Sequence, residues 1–337
     1  MITQADIARR AGVARATVSR VLNGDERVSE ETVQKVLQAA QELGYSHPRL
    51  DRGKKHFTII ICEGSIGFQL AEGQFFLQTI SGISDYCRQA GCSTEIITVR
   101  HERYDDLVQE FEGILQTARA DGFLLPSVIP ITEAILAPFL RRAAPLVLIN
   151  RYLEERPVDC VVNDDLWVGR FAAKHLLERG HRRIGYIGGV KSASAMRDRF
   201  AGFRDVLVDA GVFASQLCSF HEHVTIEAGY ESARALLQHD RTLTALFCAN
   251  DESALGAIRA IRESGLGVPE DVSVIGHDGL VTALDPETTL TTFRFRLYEL
   301  GYTAAQLLAN RIGNPQLPAQ HHVVRSEFIP GNTVRSV

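Results

Sequence analysis

The sequence predicts a small all-α unit followed by a larger α/β unit made of two doubly wound parallel sheets. Three observations carry this. A chain of 337 residues exceeds the ~250–300 over which one core usually grows, so two or more domains are expected. The first 45 residues read as three short, capped helices. From residue 57 onward, short apolar runs alternate with helical periods, the pattern of βαβ units on a parallel sheet.

In the first unit, Thr3 is positioned to cap "QADIARRA", and Gly12 breaks that helix. A second helix runs to about Asn23, with Gly24 as its stop, and Ser29 caps "EETVQKVLQAAQEL". The acids in the first turn of that third helix suit its dipole, and Gly44 closes it. Ile7, Ala8, Ala11, Val13, Val18, Val21, Val33, Val36, Leu37, Ala40 and Leu43 are spaced to face one small core.

Residues 46–56 read as a linker. Beyond it, "FTIIIC", "STEIITV", "GFLLP", "PLVLIN", "RRIGYIGG", "LTALFCAN" and "VSVIGHD" have the β-branched and aromatic content of strands. Between them lie helical periods such as "FFLQTISGISDYCRQAG", "LWVGRFAAKHLLERG", "RFAGFRDVLVDAG" and "ESALGAIRAIRESG", each ending in glycine. These units are too many for one small sheet. Two subdomains with a cleft between them fit better, with ligand bound outside the carboxyl ends of the strands.

Composition narrows the function. Hydrophobic residues make up 45% and charged residues 23%, as in globular proteins. The net charge of −5 argues against a uniformly basic coat. The balance is uneven: residues 1–56 hold ten Lys or Arg against seven Asp or Glu, and the remainder holds 26 against 34. The excess gathers in "HPRLDRGKKH", a basic stretch beside the helical unit. The six cysteines are scattered with no Cys-x-x-Cys pair, which speaks against a zinc or redox site. "HEH" (221–223) and "HH" (321–322) are isolated pairs of the kind found in solvated loops, so no metal and no cofactor are expected. "MITQADIARR" has no apolar signal core and no run approaches ~18 apolar residues, so a cytoplasmic protein without a membrane segment is expected.

The stretch "GVARATVSRVLNG" raises the sharpest question. Val18 and Val21 pin this helix to the first, and its outward face carries Arg15, Ala16, Thr17, Ser19, Arg20 and Asn23. Arginine suits guanine edges, small residues suit thymine methyls, and hydroxyl and amide groups suit phosphates. The plain alternative is an exposed amphipathic helix. The longer stretch "TQADIARRAGVARATVSRVLNGDERVSEETVQKVLQAAQELGY" resembles the DNA-binding domain of the LacI/GalR family of bacterial regulators. "HLLERGHRRIGYIGG", "DRFAGFRDVL", "ALFCANDESALGAIRAIRESGLGVPEDVSVIGHDG" and "LTTFRFRLYELGYTAAQLL" resemble that family's effector-binding core, in the family's order.

The resemblance implies a helix-turn-helix headpiece over 1–46, a linker or short hinge over 47–56, and a periplasmic-binding-protein-like core over 57–337. It divides the core into an N-subdomain of about 57–160 plus 292–320 and a C-subdomain of about 161–291 plus 321–337. It implies a non-enzymatic, sequence-specific transcriptional regulator, a repressor in most members, controlled by a small effector such as a sugar. DNA contacts are then expected from Thr3, Arg15, Ala16, Thr17, Ser19, Arg20 and Asn23, with Leu50 and Arg52 of the linker. The expected partners are a homodimer mate, double-stranded DNA with an approximately palindromic operator, and the effector. Two departures stand out. Members usually carry serine where this chain has Ala14, a poor cap costing about 1 kcal/mol. The linker "YSHPRLDRGKKHF" lacks the family's hinge-helix pattern and leaves Leu50 as its one apolar wedge.

Carried over by motif, the effector residues are Phe75, Phe76, Asn150, Arg151, Arg199, Asn250, Asp251 and Asp278. Arginine and aspartate offer paired donors and acceptors to ligand hydroxyls, and aromatics cover an apolar face. The bland readings are core for the phenylalanines, a helix cap for Asp251 and a strand-end turn for Asn150. The rival functions are an activator, a regulator with a nucleoside- or purine-like effector, a free sugar-binding protein, and a cytosolic nucleotide-dependent enzyme. For the last, "GYIGGV" misses the G-x-G-x-x-G spacing.

Overall fold

The computed structural model describes residues 2–23, 25, 27–43, 45, 55–63, 70–100, 104–189, 191–280 and 287–337. The chain divides into two compact units, Met1–Lys55 and His56–Val337.

The first unit contains α1 (Gln4–Ala11), α2 (Arg15–Asn23) and α3 (Glu30–Glu42). Thr3 opens α1: its amide and its hydroxyl both donate to the Asp6 carboxylate, at 2.9 and 2.7 Å. Those two bonds hold the Asp6 pKa below the ordinary carboxylate value. Gly12 ends α1 at φ +68°, the left-handed conformation that glycine adopts without a Cβ penalty. The Ala14 carbonyl then accepts the amides of Thr17 and Val18 to start α2. Ile7, Val18, Val36 and Ala40 are fully buried, with Ala11, Val13, Val33, Leu37 and Leu43 packed around them. Ser29 Oγ accepts the Thr32 amide at 3.4 Å, a long cap for α3. The expected stops at Gly24 and Gly44 lie outside the described residues.

The second unit holds two parallel sheets. The first runs in the order β11-β5-β4-β3-β1-β2, from β1 (His56–Glu63), β2 (Ser93–Arg100), β3 (Gly122–Pro126), β4 (Leu146–Ile149), β5 (Asp159–Asn163) and β11 (His321–Val324). On one face α4 (Leu70–Ala90) and α11 (Leu297–Gly313) cover Phe57, Ile59, Leu124 and Val147. On the other, α5 (Tyr104–Thr117) and α6 (Glu133–Arg141) cover Ile60, Phe123, Leu125 and Leu148. The second sheet runs β7-β6-β8-β9, from β6 (Ile184–Gly188), β7 (Cys218–Phe220), β8 (Ala245–Cys248) and β9 (Ser273–Ile275). It is flanked by α7 (Asp165–Glu178) and α8 (Ser194–Asp209) on one face. On the other face lie α9 (Ile226–His239) and α10 (Asp251–Glu263). Near-continuous apolar strands follow from burial on both faces. The glycines after α4, α7, α8 and α10 all have positive φ, between +68 and +91°.

Three helix pairs meet through glycine. A Cβ on Gly169 of α7 would lie 2.0 Å from the Arg199 carbonyl of α8, and one on Gly202 would lie 2.1 Å from the Leu166 carbonyl. Gly229 with Gly256 serve the α9–α10 contact in the same reciprocal way, and Gly82 with Gly301 the α4–α11 contact.

The chain passes between the two halves three times, each time a few residues later than the sequence predicts. β5 runs to Asn163 before α7 begins the second half. β10 (Thr292–Arg294) was expected in the first half. It instead pairs with β12 (Glu327–Ile329) and bridges to the β9 side through Ile275–Thr291 and Asp278–Arg294. Residues 321–324, expected in the second half, form β11 against β5 of the first. In each case a short strand completes its pairing before the chain turns away: β5 with β4, β10 with β12 and β11 with β5. β5, β7, β10, β11 and β12 were not legible because they are at most five residues long with mixed polarity.

Candidate functional site

In the first unit, residues 15, 16, 19, 20 and 23 recur at i, i+1, i+4, i+5 and i+8 of α2, which places them on one helix face. Arg15, Ala16 and Arg20 are exposed and Ser19 is half-buried, while Val18, Val21 and Leu22 are buried on the opposite stripe. Thr17 falls outside the exposed stripe and is half-buried. No acid sits in the first turn of α2. Among the described residues, neither Arg15 nor Arg20 forms an ion pair. Asn23 belongs to α2 by its backbone. Leu50 and Arg52 lie outside the described residues.

In the second unit, the expected effector residues lie past the carboxyl ends of strands or in the helices that follow. Arg199, in α8, is 1% exposed. Its Nε and Nη2 both donate to Asp165 Oδ1, at 3.0 and 2.5 Å, and its Nη1 donates to the Ala249 carbonyl. Burial works against the guanidinium charge, but Asp165 and Asp278 outweigh it and hold the Arg199 pKa above its ordinary value. The Phe295 ring centroid is 6.0 Å from the guanidinium carbon. Asp278 follows β9 at φ +118°. Burial and the nearby Asp251 carboxylate push its pKa well above the carboxylate range, against the pull of Arg199.

The remaining residues divide by what already occupies them. Arg151 donates to three loop carbonyls: Ile129 at 3.0 Å, Asn150 at 2.6 Å and Val128 at 2.5 Å. Burial lowers its pKa to about 10, with Asp165 opposing and Arg199 adding to the shift, so its charge is felt by the second half. Asn150, at φ +67°, accepts from Asn163 Nδ2 at 3.3 Å. Asn250 caps α10 through the Ser253 amide at 2.9 Å and donates to the Val224 carbonyl at 2.8 Å. Asp251 accepts from Thr292 Oγ1 at 2.5 Å and the Leu280 amide at 3.0 Å. Phe75 and Phe76 stack edge to face at 5.2 Å within the first-half core. The structure thus brings Arg151, Arg199 and Asp278 within electrostatic reach of one another through Asp165. It commits Asn250 and Asp251 to fastening α10 and the loop after β9.

Sequence reasoning missed Asp165, His277 and Phe295. Asp165 stands 34 positions from Arg199 and reads as a helix-start acid, so nothing local betrays the pair. His277 is fully buried, with Nδ1 3.0 Å from Asp278 Oδ1 and its ring 4.4 Å from that of Phe295. Burial and the Arg199 charge hold its pKa well below the ordinary imidazole value. Its signal was present in "GHDG", an imidazole beside an expected ligand carboxylate.

A three-helix unit with an exposed basic stripe, followed by two parallel-sheet lobes with polar groups at their strand ends, defines a nucleic-acid-binding regulator with a ligand-responsive core. Residues 3–48 match the family model for bacterial regulatory proteins of the lacI family, and residues 173–334 match a periplasmic binding protein-like domain. The chain is 32% identical to the HTH-type transcriptional repressor PurR of Glaesserella parasuis, over 100% of this chain and 98% of that protein. It is 33% identical to PurR of Pasteurella multocida, over 93% and 92%. Among solved structures, a Lac repressor dimer bound to operator and the anti-inducer ONPF superimposes at a TM-score of 0.77 and 25% identity, covering 99% of both chains. A CelR–cellobiose complex does so at 0.71 and 28%, covering 99% of this chain and 100% of that one. The chain belongs to the LacI family of bacterial regulatory proteins. It is a sequence-specific DNA-binding transcriptional regulator. No helix among the described residues is long and apolar enough to cross a membrane.

Proposed function

We propose that this regulator is a cytoplasmic homodimeric repressor that acts by binding alone, its grip on a roughly palindromic operator set by a small effector between the two lobes. The observation that carries the reading is the exposed, acid-free stripe of α2. Arg15 and Arg20 read base edges, Ala16 packs on a thymine methyl, and Thr3, Thr17, Ser19 and Asn23 meet phosphates or neighbouring bases. From the linker, Arg52 and its basic neighbours meet phosphates in place of much of a minor-groove wedge, with Leu50 as the one apolar side chain there. Each good arginine–guanine pair discriminates by roughly 1–3 kcal/mol. Arg199 and Asp278 hold the effector, with Arg151, Asn150, Asn250 and Asp251 shaping the cleft and Phe75 and Phe76 backing it. That charge-rich lining suits a polyhydroxylated ligand, a sugar or sugar derivative, through charge-assisted hydrogen bonds. The similarity to a cellobiose complex points the same way. A purine-like effector is the second reading, favoured by the PurR repressors among the relatives.

The test is a selection of bound sequences from random duplexes, for wild type and Arg15→Ala. The expected wild-type product is a two-fold motif, and the variant should lose preference at one position of each half-site. An unchanged motif would remove Arg15 from base reading. Calorimetry with cellobiose, ribose, hypoxanthine and guanine then separates the two effector readings.

A further inference from the structure

Apart from the Arg199–Asp165 pair, which lies inside the second lobe, a group of polar side chains joins the two lobes. Tyr152 lies in the loop after β4 of the first lobe. Its hydroxyl donates to Asp198 of α8 in the second lobe, 2.8 Å from Oδ2 and 3.1 Å from Oδ1. Arg197 Nη2 donates to that same hydroxyl at 3.1 Å, and its guanidinium carbon lies 5.5 Å from the Tyr152 ring centroid. Arg197 also reaches back to Glu154 of the first lobe at 3.0 Å. The Tyr152 amide donates to Ser194 Oγ, at the start of α8, at 3.4 Å. His321 of β11 packs against the Tyr152 ring, with centroids 5.0 Å apart.

Each of these bonds crosses from one lobe to the other, and none is needed to complete either sheet. Asp198 and Arg199 are consecutive in α8 but serve different ends. Arg199 turns inside the second lobe to Asp165 and the Ala249 carbonyl, whereas Asp198 accepts from Tyr152 of the first lobe and lies 3.5 Å from Arg197 Nε of its own helix. The helix that carries the proposed effector arginine is therefore tied across the cleft by its neighbour. Half-buried hydrogen bonds to a carboxylate persist where both partners are held, and Ser194 (4% exposed) and the His321 ring do the holding. With Arg199 and Arg151 buried at 1 and 4% exposure, this is an arrangement in which the cleft's charged groups are already withdrawn from water.

We infer that the Tyr152–Asp198–Arg197–Glu154 cluster is an interlobe latch that stabilises the closed arrangement and so sets effector affinity without touching the effector. A ligand favoured by one arrangement binds less tightly when that arrangement is less populated. The affinity arm of this inference rests on the effector reading above; the latch itself does not.

The experiment uses the full chain with Tyr152→Phe, Asp198→Asn and the double variant, and begins with hydrogen exchange read by mass spectrometry in the absence of added ligand. Each single variant should speed exchange of the peptide spanning 150–157, including the Tyr152 amide, several-fold. Amides of β4 and of the second half of α8 should keep wild-type rates, and the double variant should add little to either single. Wild-type exchange at 150–157 in both single variants overturns the latch. Calorimetry follows with whichever of cellobiose, ribose, hypoxanthine or guanine binds wild type. Both singles should weaken that probe about fivefold with an unshifted melting midpoint. Altered exchange with unchanged probe affinity overturns the link to the effector and leaves the bridge standing. Altered exchange with no binding of any probe counts against the effector reading alone. A lowered midpoint with exchange raised throughout the second lobe makes the cluster part of that lobe's fold and overturns the inference.

Discussion

Arg199, proposed above as an effector residue, is also part of the fold. Three of its five N–H groups are engaged by Asp165 and the Ala249 carbonyl, so the pair that orders the side chain leaves donors over. Removing one partner of a buried pair leaves the other charge unpaired. Arg199→Met should therefore cost about 3–5 kcal/mol, measured by urea unfolding, and Asp165→Leu in the same chain should restore much of that. A single variant as stable as wild type would show that the pair contributes little. The arginine was legible from its motif because "DRFAGF" marks its place in a helix. The aspartate was not, because a pair 34 residues apart has no local signature. Asn250 shows the opposite case. It caps α10 through the Ser253 amide, a role the sequence reading offered to its neighbour Asp251 instead.

At the scale of elements, glycine fixes how the helices meet. The α7–α8 contact leaves no room for a methyl at Gly169, whose Cβ would lie 2.0 Å from the Arg199 carbonyl. Gly169→Ala must push the helices apart and should destabilise the protein by about 3 kcal/mol, the upper range of overpacking. Gly113 of α5 is exposed with open space at the same point, so Gly113→Ala should stabilise by about 0.5–1 kcal/mol through helix propensity alone. Thermal midpoints of the two variants, compared with wild type, should move in opposite directions; a shared direction refutes this account. Long helices and apolar strands were readable because their periodicity is strong and their ends carry glycine. The short edge strands were not, since β11 buries little and β10 is defined by its partner β12 rather than by its own pattern.

The whole molecule couples a contiguous DNA-reading unit to a core whose lobes are discontinuous. On the proposed reading one α2 stripe offers only a few base contacts, so two copies are needed for usable affinity. Sedimentation equilibrium at micromolar concentration should give twice the chain mass of 37.2 kDa; monomer at that concentration would refute the homodimer. The division into two units and the alternation of the core were plain in the sequence, while the three crossings were misplaced by a few residues because the short strands β5, β10 and β11, of mixed polarity, precede each turn away. These crossings bear on how such a protein diversifies. The headpiece ends once, near residue 55, so a single recombination junction can give an old sensor a new operator. Either lobe, by contrast, can be inherited whole only if three junctions change together. Exchange of segments can therefore reassort what the protein reads on DNA. What it senses must drift by substitution, with both lobes changing in step.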